Sequence, residues 1–186
     1  MLGDKGDAVL HGIEMTSKKQ FMPILGRKKG TLLEELMLKH KPKKILEVGA
    51  LVGYSAIVMG RVAQADARIT TIELNASLAA TAQKNIAKAG LDDKITVMVG
   101  NALQKIPELI DQYDLIFVDG AKEEYIHYVK LLEEKNMHPG TIVVADNVKM
   151  FADDLEDYLE HVRSSGLYES TYHDFGFDAL EVSVKK

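Results

Sequence analysis

Residues 44–55 read Lys44-Ile45-Leu46-Glu47-Val48-Gly49-Ala50-Leu51-Val52-Gly53-Tyr54-Ser55: a short strand, a turn with two glycines, and the opening of a helix. Gly49 and Gly53 let the backbone approach a ligand closely, and the helix N-terminus beyond them offers free amides to an anionic group. Ser55 stands at that N-terminus as a candidate ligand contact. The spacing departs from Gly-x-Gly-x-x-Gly because Leu51 follows Gly49 by two, so a nicotinamide dinucleotide fits less well. Gly53-Tyr54-Ser55-Ala56-Ile57 also lacks the closing glycine of a nucleophile elbow, which argues against a serine hydrolase. The same two glycines also serve as plain turn residues in many α/β proteins.

Outward from this turn, strands and helices alternate. Strand patterns at Lys44–Val48, Arg68–Glu73, Lys94–Val99, Asp114–Val118 and Thr141–Ala145 are separated by helical patterns at Tyr54–Ala65, Ser77–Ala89, Leu103–Asp111 and Glu123–Glu134, and Ala152–Ser164 follows the last. Such a series predicts an α/β, doubly wound, Rossmann-like sheet. Leu167–His173 and Ala179–Lys185 are joined by only Asp174-Phe175-Gly176-Phe177-Asp178, too short for a helical crossover. They must run antiparallel, giving seven strands, mostly parallel, with one antiparallel edge strand. Residues 1 to 43 form one or two helices, the clearer at Thr31–His40, and the whole of 1–186 reads as a single domain.

Composition excludes several classes. With 46% hydrophobic and 27% charged residues, the chain is neither disordered nor fibrous. Its longest uncharged stretch, between Glu47 and Arg61, is too short and too rich in glycine to span a bilayer, and no secretion signal opens the chain, so a cytoplasmic protein with no membrane partner is expected. The absence of cysteine removes disulfides, thiolate nucleophiles and zinc-thiolate sites. Residues 1 to 44 hold 10 Lys/Arg against 5 Asp/Glu, whereas the whole chain has a net charge of −5. That basic start is either a solvated face or a surface for an anionic partner such as RNA.

In a doubly wound sheet, ligands lie at the carboxyl ends of the strands. Glu73 ends the second strand, where an acid can accept bonds from ribose hydroxyls, so a nucleoside without a pyrophosphate fits. Asp119 ends the fourth, and Asp146-Asn147 ends the fifth. Three such oxygens suit Mg²⁺ or another divalent cation, although Asp-Asn is also a common turn or cap pair. A cation with open positions would acidify a substrate hydroxyl, and Lys122, three residues beyond Asp119, could take the proton; as a lysine at a helix start it is equally an ordinary surface residue. The six histidines show no ligand spacing.

These residues resemble the catechol and caffeoyl-CoA O-methyltransferase group, class I enzymes that depend on S-adenosylmethionine (SAM) and a metal. The resemblance runs from about Leu25 to the C-terminus. It rests on Gly26-Arg27-Lys28-Lys29-Gly30, Ile45 to Ala50 running into Gly53-Tyr54-Ser55-Ala56, Thr71-Ile72-Glu73, Phe117-Val118-Asp119-x-x-Lys122, Leu131 to Glu134 and Gly140 to Val148. It implies the class I methyltransferase fold, with Glu47, Gly49, Tyr54 and Ser55 around the methionine part of SAM and Leu25 beside it. It further implies Glu73 on the ribose, Ala102 near the adenine, Asp119 in both cofactor and metal sites, Asp146 and Asn147 completing the metal site, and Lys122 as general base. The implied reaction is methyl transfer to a hydroxyl of a catechol-like or other vicinal-diol small molecule. Related enzymes that methylate a hydroxylated tRNA base keep RNA as the alternative partner.

The pattern departs from the animal catechol enzymes near the acceptor. Gly120-Ala121 replaces His-Trp, Phe151 stands at a proline position, the link Asp174–Asp178 is short, and the glutamate that anchors the second hydroxyl has no clear counterpart. Met22, Met150, Phe151, Phe175 and Phe177 could line a different pocket or belong to the core. Residues 1 to 24 could form a lid, an arm or the contact of a homodimer.

Overall fold

The computed structural model describes residues 3–186, with side chains from residue 5 onward. Two helices, α1 (Gly3–Ser17) and α2 (Gly26–His40), precede the sheet; the first two residues of the expected helical segment lie outside the described ones. Strands β1 (Lys44–Val48), β2 (Arg68–Glu73), β3 (Ile95–Val99), β4 (Leu115–Val118) and β5 (Ile142–Ala145) alternate with α3 (Tyr54–Val62), α4 (Ala76–Ala89), α5 (Ala102–Lys105) and α6 (Tyr125–Lys135). Helix α7 (Glu156–Ser164) then leads to the hairpin β6 (Tyr168–Asp174) and β7 (Ala179–Lys185).

The seven strands lie in the order β3-β2-β1-β4-β5-β7-β6. Order reverses between β1 and β4, which pair in parallel from Ile45 opposite Leu115 to Val48 opposite Val118. The hairpin forms one edge: β7 runs against both β5 and β6, and β6 is outermost. Both faces of the central strands are covered, as their unbroken apolar runs require. Ile45, Phe117 and Val144 pack under α1 to α4, while Leu46, Ile116 and Val143 pack under α5 to α7. Each such buried side chain contributes roughly 1.5–3 kcal/mol.

Where helices differ from expectation, local chemistry explains it. The helix expected over Leu103–Asp111 breaks because Pro107 cannot donate, leaving a four-residue α5 and a 3₁₀ turn at Ile106–Glu108. Helix α7 starts at Glu156 rather than Ala152, since residues 148–155 form separate turns after Asn147 adopts a left-handed φ of 65°. Helix α4 begins one residue before the expected Ser77: Asn75 caps it by accepting from the amides of Ser77 and Leu78, and Gly90 closes it, as expected, at φ 71°. The basic excess of the first 44 residues is partly internal, because Arg27 pairs with Glu14, Lys29 with Asp146 and Asp178, Lys43 with Asp66 and Lys44 with Asp111. Among the described residues, no helix is long and apolar enough to cross a membrane.

The turn after β1 locks the tips of β1 and β4 together. Gly49 sits at φ 100°, its amide donates to the Ile72 carbonyl at 2.9 Å, and a Cβ there would overlap the Asp119 carbonyl. Gly90 also has a positive φ, but nothing lies near its missing side chain. Gly90→Ala should therefore cost about 1–2 kcal/mol, the left-handed penalty alone, whereas Gly49→Ala should cost at least twice as much. Equal losses in urea unfolding would show that the β1–β4 clamp is slack.

Candidate active site

The carboxyl ends of β1, β2, β4 and β5 open into a cleft of about 1050 Å³, at the point where strand order reverses. Leu25, Gly49, Glu73, Ala102, Asp119, Lys122, Asp146 and Asn147 all line it. Glu47, Tyr54 and Ser55 are buried and do not. Tyr54 faces α1 instead, donating its hydroxyl to Glu14 at 2.8 Å.

Glu73 accepts the Leu51 amide on Oε2 and the Asn75 amide on Oε1, both at 2.8 Å, so its carboxylate is held at the rim of the first turn. Leu51 takes a left-handed φ of 49° to make that bond. Of the three non-glycine residues at positive φ among those described, two, Leu51 and Asn147, border this cleft, where strained backbone tends to gather.

Beneath the turn, Glu47 is fully buried; Ser55 donates its hydroxyl to Oε1, and Oε2 has no hydrogen-bond partner. Burial pushes Glu47 up to about 7, against the pull of Ser55. A buried acceptor without a donor is costly, and a ligand ammonium reaching it would remove the deficit.

Asp119 and Asp146 end neighbouring strands paired in register up to Val118 and Ala145. Burial raises both carboxyls, Asp146 to about 7, with the Asp119 charge adding to the rise and Lys29 opposing it. Each carboxylate is met by an ammonium. Lys122 Nζ donates to Asp119 Oδ1 at 2.8 Å and to the Tyr125 hydroxyl at 2.8 Å. Lys29 donates to Asp146 Oδ1 and, at 2.6 Å, to Asp178 Oδ2. Burial works against the Lys29 charge, but the two aspartates outweigh it and hold its pKa above the ordinary value.

Among the described residues, no three His, Asp or Glu side chains gather as metal ligands; the set here is two carboxylates and the Asn147 amide. Two partly desolvated carboxylates, with the Asp119 charge raising the pKa of Asp146, make a set of oxygen donors that suits a hard divalent cation.

Toward β5 and the hairpin, Met150, Phe151, Phe175 and Phe177 line the cleft, the first of the two readings open for them, but Met22 lies away from it, beside α1 and α4. Phe21 was not anticipated: it lines the mouth and is 98% exposed, as Phe177 is at 83%. An aromatic ring left in water beside a cleft is a clue visible only in three dimensions. A side chain at Gly120 would fit tightly, its Cβ 3.1 Å from the Tyr128 ring and 3.2 Å from Val48. Lys29 and Asp178 were also missed as site residues, because 149 positions separate them in the chain.

Residues 7–167 match a family model described as O-methyltransferase. The chain is 40% identical over 174 residues to the catechol O-methyltransferase of Sus scrofa, covering 87% of this chain and 92% of that one. It is 35% identical over 153 residues to the catechol O-methyltransferase of Niastella koreensis, covering 80% and 69%. Among solved structures, the O-methyltransferase TomG of Streptomyces achromogenes, in complex with SAM, superposes with a TM-score of 0.86 at 25% identity, covering 96% of this chain and 89% of that one. An O-methyltransferase of Bacillus cereus, in complex with S-adenosylhomocysteine (SAH), shares the fold with a TM-score of 0.86 at 23% identity, covering 96% and 91%.

The buried Glu47 yields a pH test. The folded protein keeps its proton up to about 7, while the unfolded chain releases it near 4.5. Stability from the neutral carboxyl is therefore complete below the lower value and lost as pH climbs through the upper one. Glu47→Gln, neutral throughout, should gain on the wild type by on the order of 3 kcal/mol between pH 4.5 and 8 in the unliganded protein. A stability difference that stays constant with pH would contradict a neutral, buried Glu47.

Proposed function

The chain belongs to the O-methyltransferase family, and from that premise we propose that it transfers the methyl group of SAM to a hydroxyl of a small catechol-like or other vicinal-diol molecule, assisted by a divalent cation. The observation that supports this reading most is the meeting, along one cleft, of the ribose-type acceptor Glu73 with the Asp119–Lys122 pair and the Asp146–Asn147 tip.

Glu73 takes the ribose hydroxyls, and Ala102, at the start of α5, gives the adenine a small neighbour. Glu47, buried behind the cleft wall with its Oε2 lacking a donor, is the acceptor for the methionine ammonium, and Gly49, where a Cβ would overlap the Asp119 carbonyl, keeps the turn close over it. Leu25 covers that part of the cofactor from α2. When bound, SAM supplies an electrophilic methyl on a sulfonium.

Asp119, Asp146 and the Asn147 amide would hold Mg²⁺ or a similar cation, which acts as a Lewis acid on an acceptor hydroxyl. Lys122 Nζ, after its own ammonium proton has passed to solvent and its bond to Asp119 has given way to the cation, accepts the hydroxyl proton. Its position at the cleft edge is fixed by Asp119 and by Tyr125, whose hydroxyl in turn donates to the Asp146 carbonyl at 3.3 Å. The remaining task is alignment of the oxygen with the methyl and exclusion of water, in which Phe151 and the other aromatic rim residues take part. Gly120-Ala121, in place of the His-Trp of the animal catechol enzymes, and the exposed Phe21 and Phe177 give this cleft an apolar mouth without tryptophan.

Radiolabelled methyl transfer from SAM to catechol should require added Mg²⁺ and stop with chelator; failure with every vicinal diol would overturn the acceptor class. Asp146→Ala should abolish metal-stimulated turnover while SAM affinity in calorimetry stays within a few-fold. Lys122→Ala should lower kcat by about 100-fold or more, the usual size of general-base catalysis. Turnover unchanged in either variant would remove that residue from its role.

A further inference from the structure

Asn147 can serve a cation only through its amide oxygen, yet an asparagine amide presents an oxygen and an NH₂ group of nearly the same shape. Something must decide which of them faces the cleft. The Nδ2 group donates to Asp178 Oδ2 at 2.6 Å. A carboxylate accepts and cannot donate, so this contact admits the nitrogen alone and leaves Oδ1 on the other side of the amide. The side chain of Asp178 is itself 3% exposed and held from two more directions: Lys29 donates to Oδ2 at 2.6 Å and the Met150 amide to Oδ1 at 3.1 Å. Lys29 reaches from the first turn of α2 to Asp146 as well, so a single ammonium joins the tip of β5 to the residue before β7.

We propose that Asp178 is a positioning residue of the cation site: it turns the Asn147 amide so that the oxygen, and not the NH₂ group, faces Asp119 and Asp146. The inference rests on the cation reading above and adds to it a residue of the cleft wall that acts on the cation through the Asn147 amide. Losing Asp178 frees the amide to rotate, and half of its orientations then point two N–H groups at a positive ion. Outer partners of this kind commonly change metal affinity by 10–100-fold.

The test is Mn²⁺ titration, followed by electron paramagnetic resonance, of the full chain with SAH present. Asp178→Ala should bind Mn²⁺ at least tenfold more weakly than wild type, while SAH affinity stays within about threefold. Asp178→Asn, which keeps the shape and supports folding if the alanine variant melts, should show the same loss, because its own amide can present NH₂ to the Asn147 oxygen and invert it. In the double variant Asp178→Ala/Asn147→Ala, affinity should be no lower than in Asn147→Ala alone, since Asp178 acts through that amide. Wild-type affinity in both Asp178 variants, or losses that multiply in the double variant, would overturn the proposal. Absence of Mn²⁺ binding by the wild type would instead overturn the cation reading, and this inference with it.

Discussion

Two carboxylates on neighbouring strand tips repel one another, and much of the cleft is organised around that repulsion. Asp119 and Asp146 follow strands whose pairing is fixed by the core, so neither can retreat without disturbing β4 or β5. Partial removal from water makes the ionised pair costlier still. Each carboxylate therefore draws an ammonium, Lys122 from the loop after β4 and Lys29 from α2. A helix outside the sheet is thereby tied to the strand ends, and Tyr125, pressed between the two aspartates, has its hydroxyl pushed well above its ordinary pKa by burial and by both charges.

The same concentration of charge separates the two ends of the cleft. Toward β1 and β2 the polar groups are met by backbone: Glu73 by two amides, and the Gly49 turn by the carbonyl of Ile72. Such contacts are rigid and leave little to vary. Toward β5 and β7 the polar groups are met by long side chains and bordered by Phe151, Phe175 and Phe177 on irregular segments. In the proposed reaction, selectivity for one acceptor over another would belong at that end, where a change of side chain leaves the sheet untouched.

Much of the architecture could be read from periodicity, because parallel strands buried on both faces give unbroken apolar runs such as Leu115–Val118 and Ile142–Ala145. The glycine turn, Glu73 and the acids after β4 and β5 were legible for a related reason: strand order places every strand's carboxyl end on one edge, so short-range patterns locate long-range neighbours. Lys29, Asp178 and Phe21 were not legible. Lys29 stands between Lys28 and Gly30 with nothing local to mark it as buried, and Asp178 resembles any acid closing a short hairpin link. Phe21 precedes α2 on a segment without periodic pattern. Their roles arise from packing α2 and the hairpin against the strand tips, which no window of sequence contains. Helix bounds were misplaced for the opposite reason: Pro107 ended α5 early and Asn147 delayed α7, each acting locally against a helical pattern that continued through it.

The central claim is that the Asp119–Asp146 tip is a cation site beside a cofactor cleft. A crystal structure with Mn²⁺ and SAH, with anomalous scattering recorded at the manganese edge, tests it directly. One anomalous peak within coordinating distance of Asp119, Asp146 and the Asn147 oxygen is the expected result. Density with SAH in place but no peak there, and with both aspartates still closed on Lys122 and Lys29, would contradict it.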